Sequence, residues 1–362
     1  MPAVPASNVT PLPMRPARPT IEIDGTRADR LESALITMEL AEAVDGMARA
    51  ELVFGNWGGE TPGFQHFDRS TLEFGKGIKV KLGEDLLFDG RISAITADFP
   101  DGGPPTIGVL AEDRLQDLRM TRRTRVFEQA SLADVLRRIA SDHGLSPVLD
   151  INPATQPAIA QLNQSDLALL HDLARREEVA IWVEGADLKA ASLRAGSRVE
   201  LRWAGSLREF HVEADLAGQR TAMVASGWNV ADKAAASHRA EGSAISSEIG
   251  DKESGAAILS GQFGARVDTI AHALPRDGSE ARAVAEAQFR ASARRFVSGE
   301  GVAEARADLR VGATLALTGL GPLFDGDYRA TSVTHRFDQA AGMRSEFACE
   351  RPGIGRASGG RP

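Results

Sequence analysis

One cysteine, Cys349, stands in 362 residues, so an intrachain disulfide framework and a multi-cysteine metal site are both excluded. The sequence neither requires nor reveals an oxidising compartment and reads as a protein assembled in the cytoplasm. Positive charge is also short. Lys and Arg number 42 against 50 Asp and Glu, a formal charge of -8, which argues against nucleic acid as the main partner. No run approaches the roughly 18 to 20 apolar residues of a membrane-spanning helix. The first 19 residues carry prolines where a signal peptide would carry an apolar core, so direct membrane insertion is not expected.

Chemical signatures are missing as well. There is no His-Glu-x-x-His, no phosphate loop and no Gly-x-Ser-x-Gly elbow. Gly319-Leu320-Gly321 lacks a third spaced glycine and lies between two expected strands, which suits a turn better than a dinucleotide site. The histidines are scattered: His143 beside Gly144 suits a helix end, His171 an exposed helix position, and His335 a structural place in a strand. Arg119, Arg122, Arg123 and Arg125 form a basic cluster with few aromatics beside it, which reads as a solvated or interdomain surface. Cys349 has no local histidine or cation to favour its thiolate. No catalytic, cofactor-binding or metal-binding residue is assigned, and no cofactor is implied.

What is present is ordinary globular material, 43% apolar and 25% charged, long enough for two or three domains. Residues 1–18 read as a flexible Pro-rich arm. From Thr20 short alternating runs predict strands at Thr20–Ile23, Leu35–Leu40, Arg49–Phe54, Ile78–Leu82, Leu87–Ile95 and Thr106–Leu110, a first β-barrel domain over 19–125. The period then lengthens to that of a helix. Ser131 caps one that turns Leu132, Val135, Leu136 and Ile139 inward, and another begins at Ser165, making 126–190 a helical and mixed middle domain. Strands return at Val179–Val183, around Leu193, and at Val199–Trp203, Glu209–Val212 and Ala222–Val230. From Leu193 on they open a second β-barrel domain over 191–350. Within it, the small polar residues of about 234–258 read as a loop or insertion, and about 279–297 as a helix whose Arg282, Glu286, Arg290 and Arg294 face solvent. Residues 351–362 read as a flexible tail. The fold class expected is α+β, mainly β: two related β-barrel domains with a helical segment between or beside them.

The relation between the two barrels rests on a recurrence. Leu87-Phe88-Asp89-Gly90 returns as Leu323-Phe324-Asp325-Gly326, with Ala94 matched by Ala330. The preceding Gly77, Ile78, Val80 and Leu82 are matched by Gly312, Ala313, Leu315 and Leu317. Asp-Gly suits a turn in both copies, since Asp bonds its own backbone there and Gly accepts positive φ.

Three stretches resemble the baseplate-hub family of contractile-tailed phages and contractile injection systems, that is, late-control D proteins and the N-terminal hub region of VgrG-type spikes. They are Phe88-Asp89-Gly90, then Asn163-Gln164-Ser165-Asp166-Leu167 through Leu173-Ala174-Arg175 to Val179-Ala180-Ile181-Trp182, and Gly326-Asp327-Tyr328 through Val333-Thr334-His335-Arg336-Phe337 to Gly342. Together they span about 20 to 350. Two departures occur, Leu169 and Leu170 where an aromatic is common and Glu178 where a glycine is usual. The resemblance implies a homotrimer acting as a symmetry adapter, with an inner tube protein, a spike protein and other baseplate components as partners. A VgrG-type protein continues into a needle where this sequence ends, so the needle is expected from another chain, with Ala348, Cys349, Glu350 and Arg351 as a possible spike-facing segment. The rival readings are a tail-associated cell-wall hydrolase, which would need two acids of divergent pKa, and a glycan-binding β-sandwich adhesin, which fits neither the central helices nor the duplication.

Overall fold

The computed structural model describes residues 18–356 except 45, 60, 61, 67, 68, 193–195, 231 and 272. The proline-rich stretch up to residue 17, Leu193 and the tail from residue 357 therefore lie outside the described residues. The fold is α+β and mainly β.

A first module holds β1 (Thr20–Ile23), β2 (Leu35–Ala43), β3 (Arg49–Gly55), β4 (Gly77–Leu82), β5 (Asp85–Asp98) and β6 (Thr106–Glu112). Alternation sets its faces. On β4 the side chains of Ile78 and Val80 are buried, whereas Lys79 and Lys81 are half-buried and pair with Asp89 and Glu22. Ile21, Leu40, Leu52, Phe54, Val80 and Ile92 share one apolar core, and its burial is the main force holding the module together.

The middle comprises β7 (Arg122–Ala130), α1 (Leu132–Asp142), β8 (Ser146–Asp150), β9 (Gln156–Ser165), α2 (Asp166–Glu177), β10 (Ala180–Glu184) and β11 (Asp187–Ala191). Ser131 and Asp134 form a reciprocal capping box at the start of α1, which satisfies two donors the first turn would leave open. Ser165 caps α2 by accepting from Ala168 N. Leu136, Ile139, Leu170 and Leu188 close a separate core.

A second module holds β12 (Arg198–Arg202) and β13 (Leu207–Ala214), then an insertion of β14 (Ala222–Asn229), β15 (Ala234–Glu241), α3 (Gly255–Phe263), β16 (Val267–Ile270) and α4 (Gly278–Arg294). It resumes with β17 (Val297–Glu304), β18 (Thr314–Thr318), β19 (Gly326–Asp338) and β20 (Gly342–Arg351). The stretch of about 234–258, expected as a loop or insertion, belongs to this insertion and carries regular structure. Ala234–Glu241 is a strand paired along β14, followed by Gly242–Ile245 in 3-10 form and by helices. Alanine has weak strand preference, but small side chains suit the strand lying under α4, where Ala240 packs with Ala285 and Phe289. Helix α4 starts one residue before Ser279, capped by Asp277, and stops at Arg294, so Val297 opens a strand.

Both modules have one strand order. The first runs β1-β4-β5-β6-β3-β2 and the second β12-β18-β19-β20-β17-β13, the same permutation of chain order, although β1 meets β4 antiparallel and β12 meets β18 parallel. The bulges coincide too. Ile36 and Arg208 are the extra residues on β2 and β13, and Ser93 and Thr331 on β5 and β19. Gly75 N and Gly312 N donate to Ile92 O and Ala330 O, at φ 79° and 85°, a left-handed turn that favours glycine.

These features correct the register read from the recurrent tetrapeptide. Phe88, Asp89 and Gly90 lie within β5 opposite Val80, Lys79 and Ile78, whereas Leu323, Phe324 and Asp325 form the turn before β19. Ile92 corresponds to Ala330 and Ile78 to Leu315, two residues away from the tetrapeptide match. Hydrogen-bond pairing fixes strand equivalence, and four identical letters do not.

Candidate assembly interface

The two modules join edge to edge. Strand β2 of the first pairs antiparallel with the outer half of β19 of the second: Met38 lies opposite Phe337, Glu39 opposite Arg336, Leu40 opposite His335 and Ala43 opposite Ser332. Val44 N donates to Thr331 O at 3.1 Å, so the joint starts at the bulge. Phe337, only 3% exposed, leaves its own module and packs into the core of the first. Outside the seam Arg336 pairs with Glu39 and also donates to Glu346 at 2.7 Å. Arg310 pairs with Glu42 and donates to Leu86 O at 3.1 Å. Within the seam the His335 ring is buried 2.9 Å from Ser345 Oγ. Burial, then the nearby Arg310 charge, push its pKa down to about 4.

The topological counterparts of these strands have no partner across the same edge among the described residues. From Glu209 onward β13, the counterpart of β2, pairs only with β17. The outer half of β5, the counterpart of outer β19, pairs only with β6. Aligned on the bulges, Met38 corresponds to Phe210, Glu39 to His211 and Leu40 to Val212, and Val333, Arg336 and Phe337 correspond to Ile95, Asp98 and Phe99. At every position from Phe210 to Asp215 the residue is more exposed than its counterpart from Met38 to Ala43. The same holds from Ile95 to Pro100 against Val333 to Asp338. Phe99 is 63% exposed and continues into an exposed aromatic patch through Phe64 and Trp57, edge-on at 6.3 and 5.3 Å. Unpaired edges and contiguous apolar surface are features of interaction surfaces.

Residues singled out in the sequence fall elsewhere. Leu87 and Phe88 are core residues, Asp89 pairs with Lys79 at 3.4 Å, and a side chain at Gly90 would collide with Glu112 O and the Phe88 ring. In the second copy Asp325 Oδ1 accepts from Leu320 N at 2.6 Å. Ala348, Cys349 and Glu350, the expected spike-facing segment together with Arg351, lie near the end of β20 between β17 and β19, and Arg351 pairs with Val297 of β17. Cys349 and Arg351 point inward because the strand alternates. Arg351 donates to Asp325 O and Leu323 O at 2.9 and 2.6 Å and stacks on Tyr328, which holds the turn before β19 in place. Burial pushes the Cys349 thiol up to about 12, far from a reactive thiolate.

Three arginines of the basic cluster form ion pairs within the chain, and Arg122 donates to Asn163 O at 3.0 Å on the surface. Arg119 reaches Glu112 at 3.0 Å, and Arg123 and Arg125 converge on the buried Asp166, with His143 Nε2 at 2.8 Å from the same carboxylate. Burial of Asp166 opposes its charge, but hydrogen bonds from Gln161 and His143 and the two arginines outweigh it and hold the carboxyl below its usual range. The arginine row of α4 is half corrected: Arg282 faces outward, while Arg290 and Arg294 bind Glu178, and Arg294 also binds Glu248. Glu178 ends α2 at φ 56°, a position that favours glycine, and its carboxylate bridges the middle to α4. Among the described residues no group of three or more His, Cys, Asp or Glu is placed to hold a metal, and no helix is long and apolar enough to cross a membrane.

Sequence reasoning missed both open edges. Continuing the alternation of β5 through Ile95, Ala97 and Phe99 was the signal that could have found one of them.

The family described as Alg8 N-terminal domain matches residues 15–339. The chain belongs to that family. This Alg8 N-terminal domain family member has the fold of solved tail proteins. One is a 43 kDa tail protein of prophage MuSo2 from Shewanella oneidensis, at 13% identity and TM-score 0.70, covering 92% of this chain and 98% of that one. Another is a tail protein from Neisseria meningitidis MC58, at 12% identity and TM-score 0.68, covering 94% and 98%. A third is the E. coli c3393 protein, a component of the type VI secretion system similar in structure to T4 bacteriophage tail proteins, at 12% identity and TM-score 0.56, covering 94% and 79%. No curated protein matches the chain.

Proposed function

We propose that the chain is the baseplate hub of a contractile phage tail or injection system, a homotrimeric adapter between a sixfold inner tube and a threefold spike. The observation that supports this reading is the doubled module, with one strand order and coincident bulges, joined by strand pairing. Three copies of a two-module chain present six modules of one topology. A ring built from them offers near-sixfold character on one side and true threefold symmetry on the other. The tail-protein fold found in phage and type VI secretion components agrees with it.

In this reading the work is binding. The inner tube protein, the spike protein and other baseplate components are its partners, and assembly takes place in the cytoplasm before the chain enters the particle. Native mass spectrometry of the full chain tests it. A species of three chains with a ring outline in electron micrographs is expected, and a protein that stays monomeric at every concentration overturns it.

A further inference from the structure

The outer face of β19 and β20 carries charges that the joint between the modules does not use. Tyr328, Ala330 and Cys349 belong to the core of the second module. Strand alternation therefore turns Arg329 and Glu350, which lie opposite each other in the ladder, to the other side. There the ends of α2 and α4, the start of β10 and Val44 close around them a cleft of about 390 Å³. All three parts of the chain contribute to it: Val44 follows β2 of the first module, Ala174 and Ile181 come from the middle, and Arg329 from the second module.

Most ions around this cleft are matched. Arg294 binds Glu178 and Glu248, Arg290 binds Glu178 at 2.7 Å, and Arg175 binds Asp172 at 2.7 Å. Arg295 and Arg329 differ from them. No ion pair or side-chain hydrogen bond among the described residues involves either one. Glu350 feels both charges but forms an ion pair with neither, and one carboxylate against two guanidinium groups leaves positive charge in excess. Burial, then the Arg294 charge, pull the pKa of Arg329 below its ordinary value, against Glu350, Glu248 and Glu178. A half-buried cation in such surroundings costs stability until an anion meets it.

We propose that the cleft binds a small amphipathic oxyanion, a carboxylate or a phosphate monoester, with its charged end between Arg295 and Arg329. Guanidinium forks match the paired oxygens of both groups. The rest of the lining suits a body of a few carbons, since Val44, Ala174, Val179 and Ile181 are apolar. The volume lies near the lower end of the roughly 300 to 1,000 Å³ of small-ligand sites, which are mostly apolar clefts with a few convergent polar groups. It admits a small molecule and not a folded partner. A ligand held there ties the middle to the second module beside the Glu178 bridge, and Glu350 is its internal competitor. This inference does not depend on the hub reading.

Calorimetric titration of the full chain at constant ionic strength tests it, with butyrate and butyl phosphate as probes. One-to-one binding of either or both is expected, and the probe that binds identifies the headgroup. Acetate and inorganic phosphate, which lack the longer body, should bind about tenfold more weakly than the corresponding probe. Arg329→Gln and, separately, Arg295→Gln should each weaken binding about tenfold. Glu350→Gln, which removes the competing carboxylate, should strengthen it. Because Arg329 has no ion-pair partner among the described residues, Arg329→Gln should melt without probe at the temperature of the parent chain or above it, which separates lost binding from lost folding. Arg295 is exposed, so its variant gives a second reading in a chain that folds. A parent chain that binds neither probe up to about 10 mM, arginine variants that bind as the parent does, or a Glu350→Gln chain that binds more weakly overturns the site. Each of these leaves the hub reading standing.

Discussion

The sealed edge at β2 and β19 and the open edges at β13 and β5 are built from the same strands in the same order, yet their side chains live in different surroundings. Phe337 is 3% exposed and Phe99 is 63% exposed. Topology alone does not bury a residue; a second sheet edge does. The difference separates what belongs to the module from what belongs to its neighbour, and the most direct way to break it is to truncate both aromatics. In the folded monomer, studied below its association concentration, Phe337→Ala should cost about 3–5 kcal/mol of unfolding free energy, as large core truncations do. Phe99→Ala should stay within about 0.5 kcal/mol, as exposed substitutions do. Denaturant midpoints decide it, and equal losses would mean that the two positions are not in different states.

A second contrast is chemical. His335 sits in the sealed joint, and its counterpart on the open edge is Ala97. The folded chain holds His335 at about 4, below its ordinary 6.5. Between those values the unfolded chain binds a proton that the folded chain refuses. Stability is therefore complete above about pH 6.5 and falls as the pH drops toward 4, by about 3 kcal/mol. Chemical denaturation of the monomer across that window should show the slope, and His335→Gln should flatten it. A slope that survives the substitution would place the titration elsewhere.

Much of this architecture was legible because it is local. The two-residue period of β4, the Ser131 and Ser165 caps and the apolar stripe of α4 are all written within a few neighbouring residues. The duplication was legible only in outline. Its register is carried by pairing between residues far apart in sequence, and the bulges at Ser93 and Thr331 that fix it have no signature in side-chain letters. The alanine-rich β15 was missed because tertiary packing under α4 overrides a weak strand preference. Both open edges were missed for a further reason. An unpaired backbone edge is a property of the folded sheet, and the strand expected to end at Ile95 in fact runs to Asp98.

The smallest expected effect sharpens the comparison at its rim. Glu39 and Arg336 are partly exposed, with side-chain exposures of 27% and 37%, so solvent screens their attraction and an ion pair of this kind contributes about 0.2–1 kcal/mol. A double-mutant cycle of Glu39→Ala and Arg336→Ala in the monomer should return a coupling in that range that fades as salt is raised toward 1 M. The same cycle with Asp98→Ala and His211→Ala should return no coupling in monomer folding, because the two residues lie on separate strands, β5 and β13, that do not pair with each other. A coupling between Asp98 and His211 in the isolated monomer would show that the two edges already meet within one chain, and the difference between the sealed and the open joint would disappear.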